Sequence, residues 1–246
     1  MQEEIVKNIA NVKMRIKDAC TKCGRNPDEV KLLLATKTVS AEYIRLALQA
    51  GENLIAENKV QELKIKYATL KDVPHTNHFI GHLQSNKIKE ILKYDVSCLQ
   101  SLDRLELAEK LHQRLLFEDK TIDVLIQVNT SNEDSKFGVH PDNAIQLVRE
   151  VAKLKTIKIK GLMTIGLLSA KPEKVTPCFR LLKAIQQQVI ELDLPNVSMN
   201  ELSMGMSGDM EIAITVGATI IRVGTAIFGE RVHPDSYYWN ESIRIK

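Results

Sequence analysis

The chain has 246 residues, 44% hydrophobic and 26% charged, with a formal net charge of +3. A globular protein of this size buries a core without needing disulfides or metals. The small positive charge, interspersed with acidic residues, excludes an electrostatic footprint for nucleic acid. Four cysteines, at 20, 23, 98 and 178, are too few and too scattered for a disulfide scaffold. No apolar run reaches bilayer-spanning length, and Met1-Gln2-Glu3-Glu4 is acidic, without a signal-peptide core. A reduced, cytoplasmic protein is expected.

Ile5, Ile9, Val12, Ile16 and Ala19 recur at helical spacing over residues 2–22, and Gly24 and Pro27 end that helix. Cys20-Thr21-Lys22-Cys23 falls at its end and not after a strand; no second pair completes a zinc site, so the spacing is read as coincidence. Strand patterns follow at 31–36, 52–56, 77–81, 95–99, 122–129, 157–165, 198–203 and 219–223. Amphipathic helices fit between them at 40–50, 58–70, 84–93, 102–116, 141–154, 173–192 and 208–217. Alternation of this kind predicts a parallel sheet, and short, mostly apolar strands suit a barrel covered on both faces. The simplest closure is an α/β fold, a single (β/α)8 TIM barrel with an extra N-terminal helix over 1–24. An open doubly wound sheet is the competitor. No repeat or linker divides residues 1–246, which read as one domain. The loops 130–141 and 166–172 are the longest rims. A tail over 232–246 carries His233-Pro234-Asp235 and Tyr237-Tyr238-Trp239, able to dock on the body or on a partner.

In such a barrel the reacting groups gather at the carboxyl ends of the strands, and phosphate often binds after the last two. Lys37 ends the apolar run Lys31–Thr36. It either snorkels out at the strand end or, desolvated, serves as a Schiff-base amine. Ser203-Met204-Gly205-Met206-Ser207-Gly208-Asp209 and Arg222-Val223-Gly224-Thr225 follow the last two strands. Small residues and hydroxyls in both turns suit an anion, although Ser207 and Gly208 can equally cap a helix. Arg222, flanked by Ile220, Ile221 and Val223, needs either a carboxylate partner or a ligand heteroatom. His75, His78 and His82 resemble a ligand cluster, but no neighbouring carboxylate or cysteine completes a metal site, and none is expected. Asn58 alone reads as a helix cap.

Taken together, Leu34-Ala35-Thr36-Lys37-Thr38, Glu57-Asn58 with Val60-Gln61-Glu62, His78 to Lys87, Gly161-Leu162-Met163, Leu202 to Asp209 and Arg222 to Gly229 are highly specific. In these segments the chain resembles the pyridoxal phosphate homeostasis proteins, single-domain relatives of the alanine racemase N-terminal barrel. The resemblance implies pyridoxal 5′-phosphate (PLP) held covalently on Lys37 as an internal aldimine. It implies that Ser207, Gly224 and Thr225 hold the phosphate with Ser203 nearby, that Arg222 faces the pyridine nitrogen, and that Asn58 and Met163 lie along the ring. Val39-Ser40 and Ile55-Ala56 depart from the usual family pattern of Lys-Pro and Phe-Gly, which affects entry or ring packing and leaves the anchor and phosphate groups intact.

A cation beside the pyridine nitrogen disfavours its protonation, so the ring is a weak electron sink. Racemisation also needs an acid/base group on each face of the substrate carbon. The family's racemases take the second group from another domain. Tyr43, Tyr67 and Tyr94 fall on outer helices, leaving Tyr237 and Tyr238 in the tail. The first expectation is therefore a PLP-binding protein of intracellular PLP homeostasis, without robust catalysis, monomeric, with transient contacts to PLP-dependent apoenzymes. A weak PLP-dependent amino-acid racemase is the alternative, and a Schiff-base aldolase acting on a phosphosugar is a third reading. Lys136, on the 130–141 rim, is a candidate transient landing point for PLP, or a solvated loop lysine.

Overall fold

The computed structural model describes residues 2–133, 135–167, 169 and 171–229. Eight parallel strands close into a barrel in chain order. They are β1 (Lys31–Ala35), β2 (Leu54–Glu57), β3 (Thr76–Phe79), β4 (Val96–Leu102), β5 (Ile122–Gln127), β6 (Ile157–Met163), β7 (Val197–Ser203) and β8 (Ile220–Val223). Closure comes from β1 lying against β8, with Leu33 opposite Arg222 and Leu34 opposite Val223. That pairing removes both sheet edges and excludes the open doubly wound alternative. The helices are α1 (Gln2–Lys22), α2 (Ala41–Gln49), α3 (Val60–Leu70), α4 (Ile88–Lys93), α5 (Leu105–Glu118), α6 (Pro141–Val151), α7 (Pro172–Ile190), α8 (Met210–Val216) and the single turn α9 (Thr225–Phe228).

Because successive side chains of a strand point to opposite faces, the barrel has two separate cores. The larger lies between strands and helices and includes Leu34, Ile55, Phe79, Leu99, Leu202 and Ile221. The smaller fills the interior with Leu33, Ala56, Cys98, Leu125, Met163 and Ile220. Gly161 lets β6 and β7 come together: a Cβ there would sit 1.8 Å from the Glu201 carbonyl oxygen. The extra helix α1 buries Ile5, Ile9, Val12, Ile16 and Ala19, the positions whose spacing predicts it. Its polar side ties it to the last two βα units. Asn8 Nδ2 donates to the Ile227 carbonyl at 3.1 Å, and Arg25 Nη1 donates to the carbonyls of Ile214 and Ala218 at 2.7 and 2.9 Å.

β4 runs to Leu102, where the sequence pattern ends a strand at 99 and starts a helix at 102. Gln100 and Ser101 look like a polar boundary, yet both are buried and hydrogen-bonded. The helix predicted from 58 begins at Val60, and the one predicted from 208 begins at Met210. The tail residues His233, Tyr237, Tyr238 and Trp239 lie outside the described residues. No helix among the described residues is long and apolar enough to cross a membrane.

Candidate functional site

The carboxyl ends of the strands carry an unusual density of buried polar side chains. Lys37, Asn58, Gln100, Gln127, Thr164, Ser203 and Arg222 are all buried. A row of hydrogen bonds joins four interior groups. Arg222 Nη1 donates to Ser203 Oγ at 2.9 Å, and Ser203 Oγ donates to Gln100 Oε1 at 2.7 Å. Gln100 Nε2 then lies 2.7 Å from His78 Nδ1. The direction of the row is fixed at its start, because a guanidinium has donors only. Ser203 must accept from it and pass its proton on, so the Gln100 amide donates and His78 Nδ1 is unprotonated. Burial keeps the ring neutral: together with Lys31 it holds the His78 imidazole down at about 4.

Arg222 itself is 5% exposed, and Nη2 donates to the Thr164 carbonyl at 2.8 Å. Its hydrogen-bond acceptors are a hydroxyl and a carbonyl, and among the described residues no carboxylate pairs with it. Burial lowers the guanidinium to about 10, with Asp209 acting the other way. The Ser203 hydroxyl thus links Arg222 to Gln100.

The β7 and β8 turns do come together. Ser207 and Thr225 hydroxyl oxygens are 3.2 Å apart, and the Ala226 N–H points at Ser207 Oγ from 3.4 Å. Gly205 has φ +92°, and a Cβ there would lie 2.5 Å from the Ala213 Cβ, so the β7 turn requires glycine. Neither Ser207 nor Gly208 caps α8; Asp209 is the N-cap residue, and its Oδ1 accepts the Met206 N–H at 2.6 Å. Burial pushes the Asp209 carboxyl up. Arg15 of α1 braces this turn from behind, donating to the Ser207 carbonyl at 3.1 Å and to Glu211 Oε1 at 2.7 Å.

Lys37 lies two residues beyond β1 and is 7% exposed. The residues on either side are pinned from outside the barrel. The Thr36 hydroxyl donates to Glu57 Oε1 at 2.6 Å, and the Thr36 carbonyl accepts from Lys66 Nζ at 2.8 Å. Thr38 has φ +66°, a left-handed conformation that a β-branched residue adopts at a penalty of about 1–3 kcal/mol. Its N–H donates to Glu62 Oε2 at 3.3 Å. Lys66 Nζ closes the group, 2.7 Å from Glu57 Oε1 and 2.6 Å from Glu62 Oε2. Burial raises the Glu57 carboxyl while Lys66 opposes the shift.

Asn58 follows β2 directly; α3 has Lys59 as its N-cap, so Asn58 does not cap that helix. Gly81 makes room beside it, since a Cβ would meet the Asn58 carbonyl oxygen at 1.8 Å. Met163 ends β6 in the interior cluster. Gly224 joins β8 to α9, immediately before Thr225. On the rim, Lys136 is no freely solvated lysine: Nζ pairs with Glu133 and donates to the Gly166 carbonyl at 2.7 Å. The neighbouring Phe137 ring stacks on His82, with centroids 3.9 Å apart. Tyr67 and Tyr94 pack on each other outside the barrel, centroids 5.3 Å apart. Among the described residues no group of three His, Cys, Asp or Glu side chains could hold a metal. Cys20 and Cys23 are free thiols, and burial raises the first, opposite to what redox reactivity needs.

Sequence patterns did not single out Gln100, Thr164, Arg15 or Lys66. Gln100 left one signal, a polar pair interrupting an apolar strand. Arg15 and Lys66 left none, because surface-type residues on amphipathic helices look solvated until the fold supplies their partners.

A closed parallel barrel whose carboxyl end gathers a buried lysine, a hydrogen-bonded arginine and two hydroxyl-bearing turns defines a class. The model of the alanine racemase N-terminal domain family matches residues 8–232. Alanine racemase from Clostridium difficile 630 shares the fold at TM-score 0.75 and 14% identity, over 95% of this chain and 58% of that one. Closer in sequence, the chain is 43% identical over 223 residues to the pyridoxal phosphate homeostasis protein of Aquifex aeolicus, covering 91% of this chain and 96% of the relative. PipY of Synechococcus elongatus PCC7942, solved with PLP bound, superposes at TM-score 0.79 with 30% identity, over 92% of this chain and 100% of PipY. The chain belongs to the pyridoxal phosphate homeostasis protein family.

Proposed function

We propose that this protein binds PLP at the carboxyl end of the barrel, covalently through the Lys37 amine, and stores, buffers or delivers it in PLP homeostasis. When bound, PLP supplies an aldehyde that reacts reversibly with amines and an electron-withdrawing ring. The residues present fit such a group. Two hydroxyls and an amide N–H converge from the β7 and β8 turns, the chemistry a phosphate ester requires. Ser207, Thr225 and Gly224 take the phosphate, Arg222 the pyridine nitrogen, and Asn58 and Met163 the faces of the ring.

The observation that carries this reading is the buried Arg222, oriented by Ser203 and Thr164 with no contacting carboxylate among the described residues, at the same end of the barrel as Lys37. A guanidinium held there donates to the ring nitrogen and does not protonate it, which weakens the ring as an electron sink. Tyr67 and Tyr94 lie on the outer surface and supply no second acid/base group at the mouth. Both points favour a carrier over a racemase, and they favour release to apoenzymes by amine exchange. The PLP-bound PipY relative supports the ligand assignment.

The test is absorption spectroscopy on purified protein incubated with PLP. We expect a visible band absent from free PLP, with borohydride reduction leaving a stable mass adduct on the Lys37 peptide. Lys37→Ala should lose both band and adduct. Persistence of the band in that variant refutes the anchor assignment. Lys37-dependent exchange of amino-acid α-protons in heavy water would establish the racemase alternative instead.

A further inference from the structure

We infer that Glu57, Glu62 and Lys66 are positioning residues for the Lys37 amine, acting from outside the barrel through the backbone on both sides of it. The inference rests on the proposed role of Lys37 as the PLP anchor and extends that role to three residues that cannot reach the ligand site themselves.

On β2, Ala56 belongs to the interior cluster, so Glu57 faces outward toward α3. Lys66 and Glu62 are one turn apart on α3 and meet it there. All three side chains are nearly sealed from solvent, with relative exposures of 2% for Glu57, 7% for Lys66 and 11% for Glu62. A buried ion group so placed could serve only to join strand to helix. Its other hydrogen bonds show where else it acts. Thr36 is held twice, by its hydroxyl and by its carbonyl, and Thr38 once, by its N–H. Lys37 lies between them. The Val39 N–H also donates to the Thr36 carbonyl at 3.0 Å, closing a tight turn around the lysine. The left-handed Thr38 at φ +66° is the point where the turn needs outside support. Glycine adopts that conformation freely, so strain and support can be separated by mutation.

The experiment uses the full-length protein without PLP first. Reductive methylation, read by mass spectrometry, compares Lys37 with the exposed Lys64 as an internal reference. In Glu62→Ala, Thr38 is released and the covered amine becomes accessible, so the Lys37-to-Lys64 labelling ratio rises several-fold. Thr38→Gly added to Glu62→Ala returns the ratio toward that of the unaltered protein, because the turn no longer needs the carboxylate. PLP affinity, read from the Lys37-dependent band, falls on the order of ten- to a hundredfold in Glu62→Ala and recovers in the double variant. If Glu62→Ala does not fold, Glu62→Gln keeps the side-chain shape and gives the same changes in smaller measure. An unchanged labelling ratio in the folded variant, or no recovery with Thr38→Gly, overturns the inference. A failure of the unaltered protein to bind PLP overturns the proposed function alone, since the labelling ratio is measured without it.

Discussion

Two buried polar groups flank the barrel wall, and they solve the problem of a buried charge in opposite ways. Outside it, one lysine, Lys66, contacts two carboxylates, Glu57 at 2.7 Å and Glu62 at 2.6 Å. Inside, Arg222 contacts a hydroxyl and a carbonyl, and the row continues through neutral Gln100 and His78. A trio held by direct ion contacts, with burial raising one of its carboxyls, fixes backbone through its remaining hydrogen bonds. A cation solvated only by dipoles leaves positive potential at the barrel mouth, where an anionic ligand can use it. Burial of charge marks both regions; among the described residues, Lys66 contacts two carboxylates whereas Arg222 contacts a hydroxyl and a carbonyl.

The comparison breaks most visibly at Lys66. Lys66→Met strands two carboxylates in the apolar layer between β2 and α3, and should destabilise the protein by about 3–5 kcal/mol, read by urea unfolding at neutral pH. If the loss is instead no larger than that of an ordinary surface substitution, Lys66 does not hold the two carboxylates as described.

Gln100→Leu should cost less, about 1–3 kcal/mol, because it leaves neutral groups unpaired: the Ser203 hydroxyl proton and His78 Nδ1. It should also loosen Arg222 and weaken PLP binding, whereas a replacement that stabilises the protein while leaving affinity intact would show the row to be dispensable.

The smallest effect is a pH dependence from His78. Its folded value near 4 lies below the ordinary 6.5, so the unfolded chain binds more protons between those limits. Stability from this group is therefore complete above about pH 6.5 and is lost progressively as pH falls toward 4. Allowing for its partial solvent contact, the loss by pH 4.5 should be about 1–2 kcal/mol. His78→Asn should flatten that segment of the stability profile; an equally steep profile in the variant would move the titration to another group.

How much was legible beforehand differs by element. Lys37 and Arg222 stood out because a charge inside an apolar strand violates the local pattern, and any such violation needs a cause. The Ser207 and Thr225 turns were visible as small-residue runs after the last two strands. Asn58 was ambiguous between helix cap and site residue until α3 began at Val60. The sequence places Ser203 near the phosphate turns and gives no sign that its hydroxyl joins Arg222 to Gln100, 103 residues away in sequence. Gln100 looked like a strand end because an interior polar residue and a boundary residue have the same local signature.

By itself the sequence determined the alternation of eight apolar strands with amphipathic helices, the presence of a lysine and an arginine within those strands, and two phosphate-like turns. Periodicity and local violations of it carry that much, because they depend only on neighbouring residues. Tertiary structure alone decided which faces those charges share and what pairs with them. It set Lys66 against Glu57 and Glu62, ran the hydrogen-bond row from Arg222 to His78, and braced the Ser207 turn with Arg15. The Arg222 row and the Arg15 brace depend on the barrel bringing together residues far apart in sequence, whereas the Lys66 group depends on α3 packing back against β2.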